Sequence, residues 1–107
     1  MPTALTVTTT RRADGTVVLT AVGEIDLSNI DTFTAALAEN TGNGKLIVDL
    51  CGVEYLDSGA INALFSYADH IRLVANPGLM PLLSISGLPE LVDVEQKGTP
   101  NESGHHP

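Results

Sequence analysis

Apolar and polar positions switch between two periods along the chain. "ALTVTTT" (4–10) alternates weakly and is rich in Thr and Val, which predicts a strand. "RRADG" (11–15) follows with Asp14-Gly15 at its tip, a hairpin signal, and "TVVLTAV" (16–22) is the return strand, ended by Gly23. "SNIDTFTAALAEN" (28–40) places Ile30, Phe33 and Leu37 at helical spacing, and Ser28 with Asp31 resembles a capping box. "TGNGK" breaks that helix, and "KLIVDL" (45–50) reads as a central strand buried on both faces.

A second helix is predicted to open at Ser58. Ile61, Leu64, Phe65 and Ala68 form its apolar stripe, while Ser58, Asn62, Ser66 and Asp69 line the other side. "IRLVA" (71–75) is a further strand and "NPG" a turn. "LMPLLSIS" (79–86) is a short helix with Pro81 in its first turn, Gly87 as C-cap and Pro89 shortly after. "ELVDV" (90–94) is predicted as the last strand. The order β-β-α-β-α-β-α-β makes an α/β fold with one small mixed sheet and helices packed on it. The domain is placed at residues 1–96. Residues 97–107, without apolar side chains, are expected to be a flexible tail.

Composition narrows the classes. The chain has 107 residues, 43% of them apolar and 17% charged, enough for one core and one domain. With no Trp, two Phe and two Tyr, that core must be mostly aliphatic. The net charge of -8 argues against nucleic acid and anionic membrane surfaces as partners. A partner carrying positive charge is favoured. The acidic surface favours a monomer, and exposed strand edges leave a dimer open. No run approaches the roughly 20 apolar residues of a membrane helix. "MPTALTVTTTRR" does not read as a signal peptide, so the expected location is the cytoplasm. Cys51, the single cysteine, reads as a small buried hydrophobe after a strand rather than a redox centre.

The chemistry concentrates at "EYLDSGAINALFSY" (54–67). Ser58 sits where an apolar run stops and a helical pattern starts. It, or Asp57, can cap that helix. The same position suits a phosphate, because a helix start offers free N–H groups and positive partial charge. Gly59 and Ala60 are small and allow a partner backbone to come close. An enzyme is not indicated. G-x-S-x-G, S-x-x-K and the phosphate-binding loop are absent, and Asp49 lacks the acidic pair of an aspartate phosphoacceptor site. His70 is the sole histidine within the predicted fold, and nothing ties it to Ser58 as a triad. His105 and His106 fall in the tail, so no metal and no cofactor is implied.

Three segments together resemble a known family. "VGEIDLSN" (22–29), "LIVDLCGVEYLDSGAINALF" (46–65) and "PLLSISGLPELVDV" (81–94) look like the STAS domain of bacterial anti-sigma factor antagonists. The middle segment is the most specific: a buried strand ending in V-D-L, a short link, then Asp-Ser and a small residue opening a helix. The resemblance implies a small sheet with helices on one side. It also implies partner switching. The unphosphorylated antagonist binds an anti-sigma factor that is a serine kinase, and the sigma factor is released for transcription. Phosphorylation of the hydroxyl after the motif's Asp, here Ser58, ends binding, and a phosphatase resets it. The implied partner surface comprises Asp57, Gly59, Ala60 and Asn62 with the "GEID" turn, here Glu24, Asp26 and Ser28. Turn chemistry and capping are the plainer roles of Glu24 and Asp26. The chain departs from the family pattern at Gly59, Ala60 and Asn62, and "SYADH" leads almost directly into the next strand, so the second helix must be short. The alternative reading is a non-switching STAS scaffold subunit, as in a lipid-transport or stress-sensing assembly.

Overall fold

The computed structural model describes residues 4–42 and 44–97. The chain runs β1 (Thr6–Arg11), β2 (Val17–Ile25), α1 (Ile30–Asn40), β3 (Leu46–Leu56), α2 (Ser58–Ser66), β4 (Ile71–Ala75), α3 (Met80–Ser86) and β5 (Val94–Gln96). Short 3-10 turns at Ala68–His70 and Leu88–Glu90 lead into β4 and towards β5. The strands form one sheet in sequence order, β1-β2-β3-β4-β5. The hairpin pair is antiparallel and the other three pairs are parallel.

That order explains the layering. Each parallel connection steps one strand in the same direction, and right-handed crossovers then place all three helices on one face. Burial follows this. Leu46, Val48 and Leu50 of β3 are fully buried under the helices, as are Leu19, Ala21 and Ile25 of β2. The alternate residues Ile47 and Asp49 are only half-buried. The reading of 45–50 as a strand covered on both faces is therefore corrected: no described helix covers the second face.

The core is aliphatic, as the composition required. Phe33 of α1 is the one fully buried aromatic side chain, whereas Tyr55 is 50% exposed. Helix α2 turns Ile61 and Leu64 inward and leaves Ser58, Asn62 and Ser66 exposed, and the 3-10 turn after it continues the pattern, with Ala68 buried and Asp69 exposed. In α3, Pro81 lies in the first turn and Gly87 closes the helix at φ 83°.

Four boundaries move. β2 runs on to Ile25 and β3 to Leu56, because their pairing continues past two bulges as far as Ile25 with Leu56. Helix α1 starts at Ile30, and the Ser28–Asp31 capping box does not form. Ser28 donates instead, through its N–H and hydroxyl, to Oδ1 of Asp26. Asn29 stands at the cap position without capping, since its amide is committed to the Asp26 N–H and the Glu24 carbonyl. The last strand is Val94–Gln96 rather than 90–94. Pro89 lies within a 3-10 turn, and Leu91 and Val92 donate back to the Leu88 carbonyl. Leu88 and Val92 are buried while Leu91 is 59% exposed, a helical spacing in place of a strand alternation. Lys97, assigned to the tail, still donates its N–H to Ala75 at 2.8 Å. The rest of the tail, residues 98–107 with His105 and His106, lies outside the described residues.

Gly23 adopts φ +117°, and a Cβ there would collide with the Ala4 carbonyl oxygen. Gly15, at φ +90°, has open space around it. Gly23→Ala should destabilise the fold by more than about 2 kcal/mol, through strain and collision together. Gly15→Ala should cost about 1 kcal/mol, through strain alone. Urea denaturation of the two variants separates these costs; equal losses would exclude the Ala4 contact as the cause.

Candidate functional site

The site forms at the carboxyl ends of β2 and β3. Asp57 continues their parallel pairing by donating its N–H to the Ile25 carbonyl at 3.1 Å. Its backbone is still extended, at φ −88° and ψ −178°, and its side chain accepts from the Ala60 N–H at 3.0 Å. Asp57 is thus the N-cap of α2, and Ser58 is the first helical residue. The sequence left both residues open as the cap, and the geometry assigns that role to Asp57. Ser58 is exposed, and among the described residues its hydroxyl has no hydrogen-bond partner.

The same junction carries the Glu24–Asn29 turn to α2. Asn29 donates from Nδ2 to the Glu24 carbonyl at 2.9 Å and accepts at Oδ1 from the Asp26 N–H at 3.0 Å. Asp26 and Ser28 hold each other, so both have the turn roles open to them. A Cβ on Gly59 would lie 3.3 Å from Asp57 Oδ1 and 3.9 Å from Cγ1 of Ile30. The start of α1 is therefore also packed at this corner. Glu24 and Asp57 are half-buried, Ser58 and Asn62 are exposed, and Ala60 is fully buried. Ala60 accordingly lies in the core and offers its small size to packing rather than to a surface.

A groove of about 410 Å³ opens beside Ser58 between α2 and α3, lined among others by Tyr55, Ile61, Asn62, Leu82 and Ile85. Ile85 is 85% exposed, and Leu27, in the neighbouring turn, is 83% exposed. The sequence reading did not single out these apolar residues. Their signal was available: α3 is short and carries more apolar side chains, Met80, Leu82, Leu83 and Ile85, than one buried face can use, and Leu27 interrupts a polar turn. Asn76 was also missed. Its amide donates to the carbonyls of Cys51 and Val53, both at 3.0 Å, and accepts from the Leu79 N–H at 3.1 Å. It clips the bulged half of β3, which carries Tyr55 to Ser58, onto the β4–α3 loop.

Other candidates separate. Ser58 opens α2, and His70 lies beyond its far end, 12 residues on. The helix alone spans roughly 12 Å from Ser58 to Ser66, and the chain runs on through a 3-10 turn to His70, too far for a base to reach the hydroxyl. Cys51 lies within β3, half-buried, rather than after the strand. Burial pushes its thiol up to about 11, with the hydrogen bond and charge of Asp49 adding to the shift.

This is an α/β module whose most distinctive surface is a capped helix start with a free serine beside an apolar groove. A family model for the STAS domain matches residues 8–95, and the chain belongs to the STAS domain family. No match to a curated protein is found. Among solved structures, an anti-sigma factor antagonist from Mycobacterium paratuberculosis superposes with a TM-score of 0.79 at 22% identity, covering 86% of each chain. The anti-sigma factor antagonist SpoIIAA in its unphosphorylated form superposes at 0.69 with 16% identity, covering 92% of each chain. At these identities the likeness is one of fold.

Two measurements test the site geometry. Asp57→Ala should cost about 1 kcal/mol through the lost cap, whereas Ser58→Ala should stay within about 0.5 kcal/mol. Thermal unfolding reads both, and the reverse ranking would make Ser58 the cap. At pH 8, Cys51 should react with iodoacetamide about a hundredfold more slowly than a thiol at its ordinary value of 9.0, because the thiolate is the nucleophile. A rate equal to that of free cysteine would overturn the raised value.

Proposed function

We propose that this STAS domain is an anti-anti-sigma factor: it binds an anti-sigma factor that is also a serine kinase, releases a sigma factor, and is switched off by phosphorylation of Ser58. The observation that carries this reading is the free, exposed Ser58 hydroxyl on a helix whose cap is already supplied by Asp57. A modification there leaves the cap in place. The partner face combines Asp57, Gly59 and Asn62 with the Glu24, Asp26 and Ser28 turn. The Leu82–Ile85 groove adds apolar contact. Its acidic groups suit a partner with basic side chains, and the cytoplasm suits a partner that uses ATP.

A phosphoryl group on Ser58 brings nearly two negative charges next to the Asp57 carboxylate. A partner seated there with the groove desolvated is expelled by like-charge repulsion and by the cost of burying the phosphate. No catalysis by this chain is needed; the kinase supplies the reaction.

Intact-mass spectrometry after incubation with candidate anti-sigma kinases and Mg-ATP should show a gain of one phosphate in the wild type and none in Ser58→Ala. Ser58→Asp should weaken binding at least tenfold. Burying Ile85 against a partner is worth about 1.5–3 kcal/mol, so Ile85→Asp should also weaken binding at least tenfold, with the melting temperature unchanged. Binding by Ser58→Asp and phosphorylation elsewhere would remove Ser58 as the switch. A stable complex with a partner lacking kinase activity would favour the scaffold reading.

A further inference from the structure

The face of the sheet away from the helices holds a second, separate feature. Arg12, Arg72 and Lys97 line one depression of about 260 Å³, with Ile47, Val74 and Glu95. These are three of only five basic residues in a chain of net charge -8. They arrive from three different places. Arg12 is fixed in the β1–β2 turn by bonds from its N–H to Thr16 and from Gly15 to its carbonyl. Arg72 pairs with Ile47 across β3 and β4, and Val74 pairs with Glu95 across β4 and β5. Lys97 is held by its N–H bond to Ala75. Among the described residues, no side-chain hydrogen bond engages the three cationic head groups.

We propose that this depression is a binding site for a small phosphomonoester, with the phosphoryl group between Arg12, Arg72 and Lys97 and an apolar moiety against Ile47 and Val74. Two guanidinium forks and an ammonium match a phosphoryl group, which accepts several charge-assisted hydrogen bonds at once. Glu95 offsets one of the three cations, and the positive charge that remains matches a dianion better than a monocarboxylate.

The rest of the molecule selects for size. A nucleic acid, an acidic protein or an anionic membrane would meet the whole negative surface. A small ligand meets mainly the local cations, since salt screens charges beyond about 8 Å. The site is also remote from Ser58. Ile47 is the second residue of β3 and Leu56 its last. Nine residues of strand span roughly 30 Å, and even Lys97, bonded to Ala75 opposite Leu50, stands about six residues from Leu56, roughly 20 Å. The proposal therefore stands or falls independently of the switch.

The test is an NMR titration of the full chain with phenyl phosphate at constant ionic strength. Saturable shifts are expected at the Arg12 and Arg72 Nε–H groups and the Ile47 and Val74 methyls. Arg72→Gln and, separately, Arg12→Gln should each weaken the fitted Kd at least tenfold, and Lys45→Gln, outside the depression, should leave it unchanged. Inorganic phosphate should bind more weakly than phenyl phosphate. Unsaturable shifts, or equal losses in Arg72→Gln and Lys45→Gln, would mean diffuse ion association and overturn the site. Equal affinity for the two probes would overturn the apolar moiety. Co-sedimentation with phosphatidic acid vesicles would assign the cations to a membrane surface and overturn the small-molecule reading.

Discussion

The bond from the Asp57 N–H to the Ile25 carbonyl, at 3.1 Å, holds the functional corner together. It is the last rung of the parallel pairing between β2 and β3, made by a residue that has already left its strand. One residue thus closes a sheet rung with its backbone and caps a helix with its side chain. The rung fixes where α2 begins relative to the Glu24–Asn29 turn. The cap fixes that Ser58 enters the helix with its hydroxyl unused. Asn76 supports the arrangement from the other side, by satisfying the carbonyls of Cys51 and Val53 where the β3 bulge interrupts the ladder. Buried or half-buried carbonyls left unpaired there would cost about 1–3 kcal/mol each, which makes a bulged strand end sustainable only with such a clip.

Much of the charge on β2 and β3 is sorted along the same axis. Arg11 pairs opposite Val17, Lys45 directly precedes Leu46, and Arg72 pairs with Ile47, all at the amino ends of the parallel strands. Glu24, Asp26, Glu54 and Asp57 gather at the carboxyl ends of β2 and β3. Between residues at the start and end of β3 lie roughly 30 Å, several Debye lengths at physiological salt. Negative charge added near Ser58 thus lies far from Arg11, Lys45 and Arg72. It faces whatever docks there.

Legibility followed the strength of local rules. The hairpin, the central strand, the stripe of α2 and the Gly87 stop were readable because one residue type dominates each: Asp14-Gly15, a Val-Ile-Leu run, Ile61 with Leu64, a left-handed glycine. The errors share another cause. Ser28, Asp31 and Asn29 all had side chains able to cap α1. The choice was settled by the Asn29 amide bonding Glu24 and Asp26, which depends on the turn already being formed. Leu91 and Val92 looked like strand residues because two adjacent apolar side chains carry no period. Tertiary contact of Val92 with the core decided for a turn. The apolar groove was the hardest to read. A short run of apolar residues shows that something is buried, and not which of Leu82, Leu83 and Ile85 is left outside.

The position of Ser58 constrains how any modification there could act. A negative group at the first turn of a helix is stabilised by the dipole by about 0.3–1 kcal/mol. The Asp57 carboxylate, already on the Ala60 N–H, opposes a second anion by a similar exposed-charge amount. The two effects offset within the folded domain, so the helix has little reason to move. The asymmetry appears only when a partner excludes water from the corner. In the proposed switch, repulsion that is weak in solvent would strengthen as the local dielectric falls, and a phosphate on Ser58 would have to lose hydration. A serine at the cap position itself would have coupled modification to helix stability. With Asp57 as the cap the two are separate, and under the proposed switch a modified Ser58 would bear on what binds rather than on the fold that presents it.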